Sequence, residues 1–154
     1  MNEPLLCGMA QTALDRPDPL FRSGNTNCGG CGLSILLQMM RRAVADRRIQ
    51  FVIPASCAAV AAGQFPYSTY GVPTLLTTFA AAPAAASGAA AVAQMNGENT
   101  RVICLAGDGG TYDIGFAGLS AAAERNEDIL YICYDNEIYG NTGGQRSSAT
   151  PAGA

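Results

Sequence analysis

Histidine is absent from the 154-residue chain, and so is lysine, since all nine basic residues are arginines. Without imidazole the chain can run neither Ser-His-Asp nor Cys-His hydrolysis on its own, and it can offer zinc no histidine ligand. Proton transfer must then come from carboxylates, a cofactor or another subunit. Charge is scarce as well, at 14% of residues, and there is none from Gln50 to Gly97. The arginines are scattered apart from Arg41-Arg42 and Arg47-Arg48, and the net charge is −3. The basic stripe of a nucleic-acid binder is therefore missing, and no nucleic-acid partner is expected. Hydrophobic residues make up 49% of the chain. Disorder needs the opposite balance, few apolar residues and high charge.

A chain of this length reads as one domain over residues 1–154, able to bury a real core. Its first twenty residues lack the basic stretch and apolar run of a signal peptide. Six cysteines could suggest a disulfide framework. In a large apolar chain without an export signal, free thiols or metal thiolates fit better, as does a cytoplasmic location.

Residues 1–27 are punctuated by Pro4, Pro17, Pro19 and Gly24 and read as irregular. Then comes CGGCG, followed by Leu33, Leu36, Leu37, Met40 and Val44 at helical spacing, with Arg41, Arg42 and Asp46 on the other side. Cys28 and Cys31 thus sit in a glycine-rich turn that opens a helix. Ile49 to Ile53 reads as a buried strand stopped by Pro54, with Cys57 just beyond. The stretch from Thr77 to Met95 has the length of a membrane span. Its side chains are mostly Ala, Gly, Ser and Thr, with Pro83 and Gly88 inside, so a buried helix packed closely on neighbouring backbone is expected, and no membrane. Val102 to Ala106 and Ile129 to Tyr134 read as buried strands flanking a helix over 115–126. That βαβ unit predicts an α/β fold, a parallel sheet with flanking helices and a right-handed crossover. Residues 137–154 read as loop with no closing element.

Two turns carry the chemistry. Gly107-Asp108-Gly109-Gly110 follows one strand and Asp135-Asn136-Glu137 the next. In an open parallel sheet, ligands bind outside the carboxyl ends of strands. There Asp108 can offer a carboxylate, Asn136 a side-chain carbonyl, and the following loop a backbone carbonyl. A hard cation such as Mg²⁺ takes such oxygens together with phosphate and water. The glycines let backbone approach a diphosphate, and the next helix N-terminus adds a favourable dipole. The blander reading is a tight turn. Cys28-Gly-Gly-Cys31 could be a redox pair, half a zinc site, a cluster ligand pair or two inert thiols. Cys104 and Cys133 fall within strands, where cysteine is commonly a small hydrophobe.

The stretch GDGGTYDIGFAGLSAAAERNEDILYICYDNEIYGNTGGQRSSATP, from Gly107 to Pro151, resembles the thiamine-diphosphate signature that begins with GDG and ends in Asn. More specifically it resembles pyruvate:ferredoxin oxidoreductases and related 2-oxoacid:ferredoxin oxidoreductases, which share GDG, YDIG, a DNE-type turn, NTG-x-Q and SxATP. Residues 67–82 match that family more loosely.

The resemblance implies oxidative decarboxylation of a 2-oxoacid, pyruvate in the first instance, to acyl-CoA and CO₂, with electrons leaving for ferredoxin. Asp108, Asn136 and the Ile138 carbonyl would hold Mg²⁺. Gly107, Gly109, Gly110 and the loop from Asn136 through Tyr139 to Asn141 would surround thiamine diphosphate, with Asn141 at its reacting end. Cys28, Cys31 and Cys57 would supply three ligands to a [4Fe–4S] cluster beside the cofactor. Such a cluster usually needs four thiolates. The family's fourth cysteine lies downstream of the thiamine motif, which implies a fragment of a longer subunit with an incomplete sheet; Cys7 is a possible substitute. Partners implied are other subunits, ferredoxin, the 2-oxoacid and coenzyme A. Two rivals remain: a cluster-free thiamine-dependent decarboxylase or acetolactate-type enzyme, and an inactive truncated subunit that only binds partners.

Overall fold

The computed structural model describes residues 20–44, 47–64 and 66–154. Cys7 and most of the stretch expected to be irregular lie outside the described residues. The apolar spacing after the CGGCG turn gives helix α1 (Gly32–Val44), which buries Leu33, Leu37 and Met40 and leaves Ile35 and Met39 exposed. Strand β1 (Arg48–Pro54) follows. Ser56 then caps a short helix α2 (Cys57–Ala61), its hydroxyl oxygen accepting from the Ala59 N–H at 3.4 Å.

The chain continues through β2 (Thr74–Thr77), α3 (Ala82–Met95) and β3 (Thr100–Gly107). A π-helical turn (Gly109–Asp113) leads into α4 (Phe116–Glu124) and β4 (Ile129–Tyr134). Two short strands, β5 (Ile138–Tyr139) and β6 (Gln145–Arg146), close an antiparallel hairpin.

Strands β1 to β4 form one parallel sheet in the order β2-β1-β3-β4. Successive side chains on a strand point to opposite faces. Phe51, Ile53, Ile103 and Leu105 accordingly enter one core with Leu33, Leu37 and Tyr70, while Val52, Val102 and Cys104 enter another with Ala82, Ala86 and Ala90. Both faces of β1 and β3 are thus covered, which is why these strands read as unbroken apolar runs.

Helix α3 covers the second face with side chains of minimal size. Pro83 stands in its first turn, where the missing N–H costs no helical hydrogen bond, and Ser87 answers its own hydroxyl on the Pro83 carbonyl at 3.0 Å. Among the described residues no helix is long and apolar enough to cross a membrane. The stretch of membrane-span length is divided between the last residue of β2, a turn and α3.

Each strand expected from the sequence is present, as are the helices after the cysteine turn and between β3 and β4. Strand β2 was not foreseen. Its Leu75 and Leu76 are both partly exposed, so it joins the sheet through backbone pairing with β1 rather than through a buried side-chain pattern. The β5–β6 hairpin replaces part of the expected loop for the same reason, being too short to show a period.

Phe51 is fully buried and its ring meets Tyr70 edge-on at 5.4 Å. Phe51→Ala should therefore lower the unfolding free energy by about 3–5 kcal/mol, read from urea unfolding. Leu76→Ala, at a position 49% exposed, should stay within about 0.5 kcal/mol of the parent. Equal losses would contradict this placement of the core.

Candidate functional site

A cavity of about 480 Å³ opens at the carboxyl ends of β1, β3 and β4. Its walls come from Ser56 and Cys57 after β1, from Gly107 to Gly110 after β3, and from Tyr134 and Asn136 at the end of β4. The β5–β6 hairpin adds Ile138, Tyr139 and Asn141, and Phe79 completes the apolar side. Asp108 is the one charged side chain among the described lining residues. Burial pushes the Tyr134 phenol up to about 12, and a hydrogen bond to Asp113 does the same for Tyr139. Both phenols therefore stay neutral donors near pH 7.

The β3 strand delivers this wall through a turn wound wider than an α-helix. Ile114 N–H reaches the Gly109 carbonyl at 3.1 Å, and the Thr111 hydroxyl donates to the Gly107 carbonyl at 2.7 Å. Such π turns occur frequently at functional sites. Glycine is required at two points of it. A Cβ on Gly109 would stand 2.1 Å from Cε1 of Tyr139, and one on Gly115 would stand 1.9 Å from the Gly110 carbonyl oxygen.

Three oxygen-bearing groups meet at the mouth. The inner end of the Asn136 amide lies 2.8 Å from the Ile138 carbonyl oxygen and 3.1 Å from Oδ1 of Asp108. With its nitrogen turned inward, the amide donates two hydrogen bonds there. With its oxygen inward, three acceptors face one another, an arrangement that a coordinated cation would stabilise. Adjacent oxygens around Mg²⁺ at 2.0–2.1 Å in an octahedron stand about 2.9 Å apart, so the residues present fit that ion. They also fit a diphosphate once the ion is there. No basic residue lines the cavity among those described, so Asp108 alone would repel an anion.

The hairpin is tied to this centre by its far end. Ser147, 4% exposed, donates from Oγ to Oδ2 of Asp108. Ser148 and Tyr139 both donate to Asp113, and these bonds hold its carboxyl below the ordinary range. Thr150 donates to the Glu137 carbonyl. The turn itself is set by Glu137, whose φ of 61° is left-handed and whose N–H donates to Asp135 at 2.8 Å.

Gly107, Asp108, Gly109, Gly110, Asn136, Ile138, Tyr139, Asn141 and Cys57, singled out from the sequence, thus line one cavity. Cys28 and Cys31 do not. They share a turn in which the Cys31 N–H donates to the Cys28 carbonyl at 3.1 Å. Burial pushes the Cys57 thiol up, and so do the neighbouring Cys31 and Cys28 thiols, so the three sulfurs occupy one neighbourhood. Among the described residues, however, no three His, Cys, Asp or Glu side chains are gathered into a ready metal-binding set. Sequence reasoning assigned no role to Ser147, Asp113 or Phe79. The SxATP match marked the first of them, but nothing local says what its hydroxyl touches.

Residues 54–154 match the family described as thiamine pyrophosphate enzyme, C-terminal TPP binding domain. The chain is 44% identical over 140 residues to the ketoisovalerate oxidoreductase subunit VorB of Pyrococcus abyssi, covering 87% of this chain and 45% of that protein. It is 39% identical over 140 residues to the pyruvate synthase subunit PorB of Pyrococcus horikoshii, covering 85% and 42%. The solved 2-oxoglutarate:ferredoxin oxidoreductase from Magnetococcus marinus, with 2-oxoglutarate, coenzyme A and succinyl-CoA bound, aligns with a TM-score of 0.69 at 26% identity, over 86% of this chain and 45% of that one. The chain spans about half the length of the curated relatives it matches. The α/β fold and the family resemblance read from Gly107 onward are both borne out. The chain belongs to the thiamine pyrophosphate enzyme family, with the C-terminal thiamine-pyrophosphate-binding domain over residues 54–154.

Proposed function

We propose that this chain supplies the thiamine-diphosphate site of a 2-oxoacid:ferredoxin oxidoreductase, working with further subunits. The reaction is oxidative decarboxylation of a 2-oxoacid to acyl-CoA and CO₂, with the electrons passed through an iron–sulfur cluster to ferredoxin. The observation that carries the reading is the meeting of Asp108 Oδ1, the Asn136 amide and the Ile138 carbonyl at the mouth of the cavity. Similarity to ketoisovalerate oxidoreductase and pyruvate synthase subunits supports the substrate class.

Bound thiamine diphosphate supplies the electron sink for decarboxylation, and the protein's part is to position and tune it. On this reading Asp108, Asn136 and the Ile138 carbonyl hold Mg²⁺. Gly107, Gly109 and Gly110 let backbone close on the diphosphate, and the apolar wall around Phe79 and Tyr139 keeps water out. Asn141, on the turn of the hairpin, stands at the reacting end and contacts substrate. Glu137 serves the turn, and by resemblance to the family the carboxylate that activates the cofactor would come from another subunit or domain. Cys28, Cys31 and Cys57 provide three of the four thiolates of a [4Fe–4S] cluster. The five described cysteines are free, which suits the reducing cytoplasm.

Three measurements test this. Since Asp108 is the only charge in the described cavity wall, thiamine diphosphate binding should require Mg²⁺, and Asp108→Ala should weaken it by roughly 100-fold or more in calorimetric titration. Gly109→Ala forces a Cβ into the Tyr139 ring; a strain of about 1.4 kcal/mol or more should cost at least tenfold in cofactor affinity. Binding unaffected by either change would remove the site. For the reaction itself, the chain co-expressed with its partner subunits should show about four irons per chain by anaerobic iron and sulfide analysis, a reducible signal in electron paramagnetic resonance, and oxidation of pyruvate or ketoisovalerate. Cofactor-dependent decarboxylation without iron would favour the cluster-free thiamine enzyme instead.

A further inference from the structure

We propose that Ser147 decides which oxygen of Asp108 faces the cation, holding the carboxylate as a one-oxygen ligand and so favouring magnesium over larger divalent ions. The proposal rests on the reading of Asp108, Asn136 and Ile138 as a magnesium site and names a residue that controls it from outside the ligand set.

The two carboxylate oxygens of Asp108 have different neighbours. Oδ1 lies 3.1 Å from the Asn136 amide, inside the cluster of oxygens. Oδ2 accepts from the Ser147 hydroxyl, which arrives from 39 residues further along the chain. The hydroxyl has little freedom to do anything else. Its oxygen accepts from the Ala149 N–H at 3.2 Å, which leaves its proton for Asp108. Ser147 is buried, its N–H donates to the Thr150 hydroxyl at 2.9 Å, and its carbonyl accepts from the Thr150 N–H at 3.1 Å. Thr150 in turn donates to the Glu137 carbonyl, next to Asn136 and Ile138. One short turn therefore grips both arms of the site.

A carboxylate anchored by one oxygen cannot swing to present both. Mg²⁺ requires near-ideal octahedral geometry at short distances, whereas Ca²⁺ accepts more oxygens, including carboxylates that bind through both. Removing the Ser147 hydroxyl frees Oδ2 to turn toward the ion, and the site then accommodates the larger cation relatively better. Orienting partners of this kind typically contribute 10–100-fold to metal affinity.

The test uses the metal-stripped protein in the assembly in which it purifies, with thiamine diphosphate binding followed calorimetrically against Mg²⁺ and against Ca²⁺. Ser147→Ala should raise the Mg²⁺ concentration needed for half-maximal binding by about 10–100-fold, and the Ca²⁺ concentration by much less. Ser147→Cys, which fills the space with a weak donor, should behave like Ser147→Ala, and Ser147→Thr should restore the Mg²⁺ preference. Urea midpoints of all three variants separate this from loss of fold. Equal weakening with both cations, or no change with either, overturns the proposal while leaving the magnesium site standing. Absence of any divalent dependence in the unsubstituted protein removes the magnesium site and the proposal together.

Discussion

The parallel pairing of β3 with β4, in a register that ends with Gly107 beside Tyr134, brings two strand termini to one level. Everything that follows either terminus must then share the same small volume. Asp108 leaves one strand and Asn136 follows the other, and their side chains meet there. A register slip of two residues, about 7 Å along a strand, would separate them beyond reach of a common ion. The packing beneath enforces the register: Val102 and Cys104 sit on one face and Ile103 and Leu105 on the other, so both faces of β3 are buried.

The cavity built on that register contains little charge, and this shapes how it can hold a ligand. Among the described lining residues there is one carboxylate and no cation. A diphosphate bound there would meet no cationic side chain among the described lining residues, so backbone groups would have to come close to it, and backbone can come close only where side chains are missing. Gly109 meets that need in both directions, since the space its Cβ would occupy is taken by the Tyr139 ring. That ring also meets Phe79 edge-on at 6.1 Å. The same use of small residues recurs in α3, whose alanines lie against Val52, Val102 and Cys104. Close approach of backbone is a common requirement of the sheet-covering helix and of the site.

The segment after β4 does more than cover the cavity. Its turn hydroxyls return to Asp108, Asp113 and the Glu137 carbonyl, so the hairpin is anchored to the β3 side of the site. Asp113 binds Tyr139 and Ser148 together, and this joins the two arms of the hairpin to the π turn. Charged groups in these bonds make them stronger than neutral ones, and burial of Ser147 removes water as a competitor.

Much of this was legible in the chain itself. The apolar spacing of period 3.6 after the cysteine turn announced its helix, and unbroken apolar runs at 49–53, 102–106 and 129–134 announced the strands, because burial leaves its mark on neighbouring residues. GDGG and DNE after two such strands marked residues that come together at one cavity, because parallel strands end on one side. The short elements β2 and β5–β6 left no mark, since their exposed leucines and two-residue strands carry no period. The cysteines show the limit from the other side: their spacing left several readings open and only the family resemblance implied a cluster, while the fold brings Cys28, Cys31 and Cys57 into one neighbourhood without closing a ligand set among the described residues. What the sequence alone determined was the α/β architecture and the residues at the strand ends, both of which depend on near neighbours. Only the tertiary structure decided that Ser147 touches Asp108 and that Tyr139 stands over Gly109. Those contacts join residues about thirty or more positions apart and exist only once the sheet has set the distance between them.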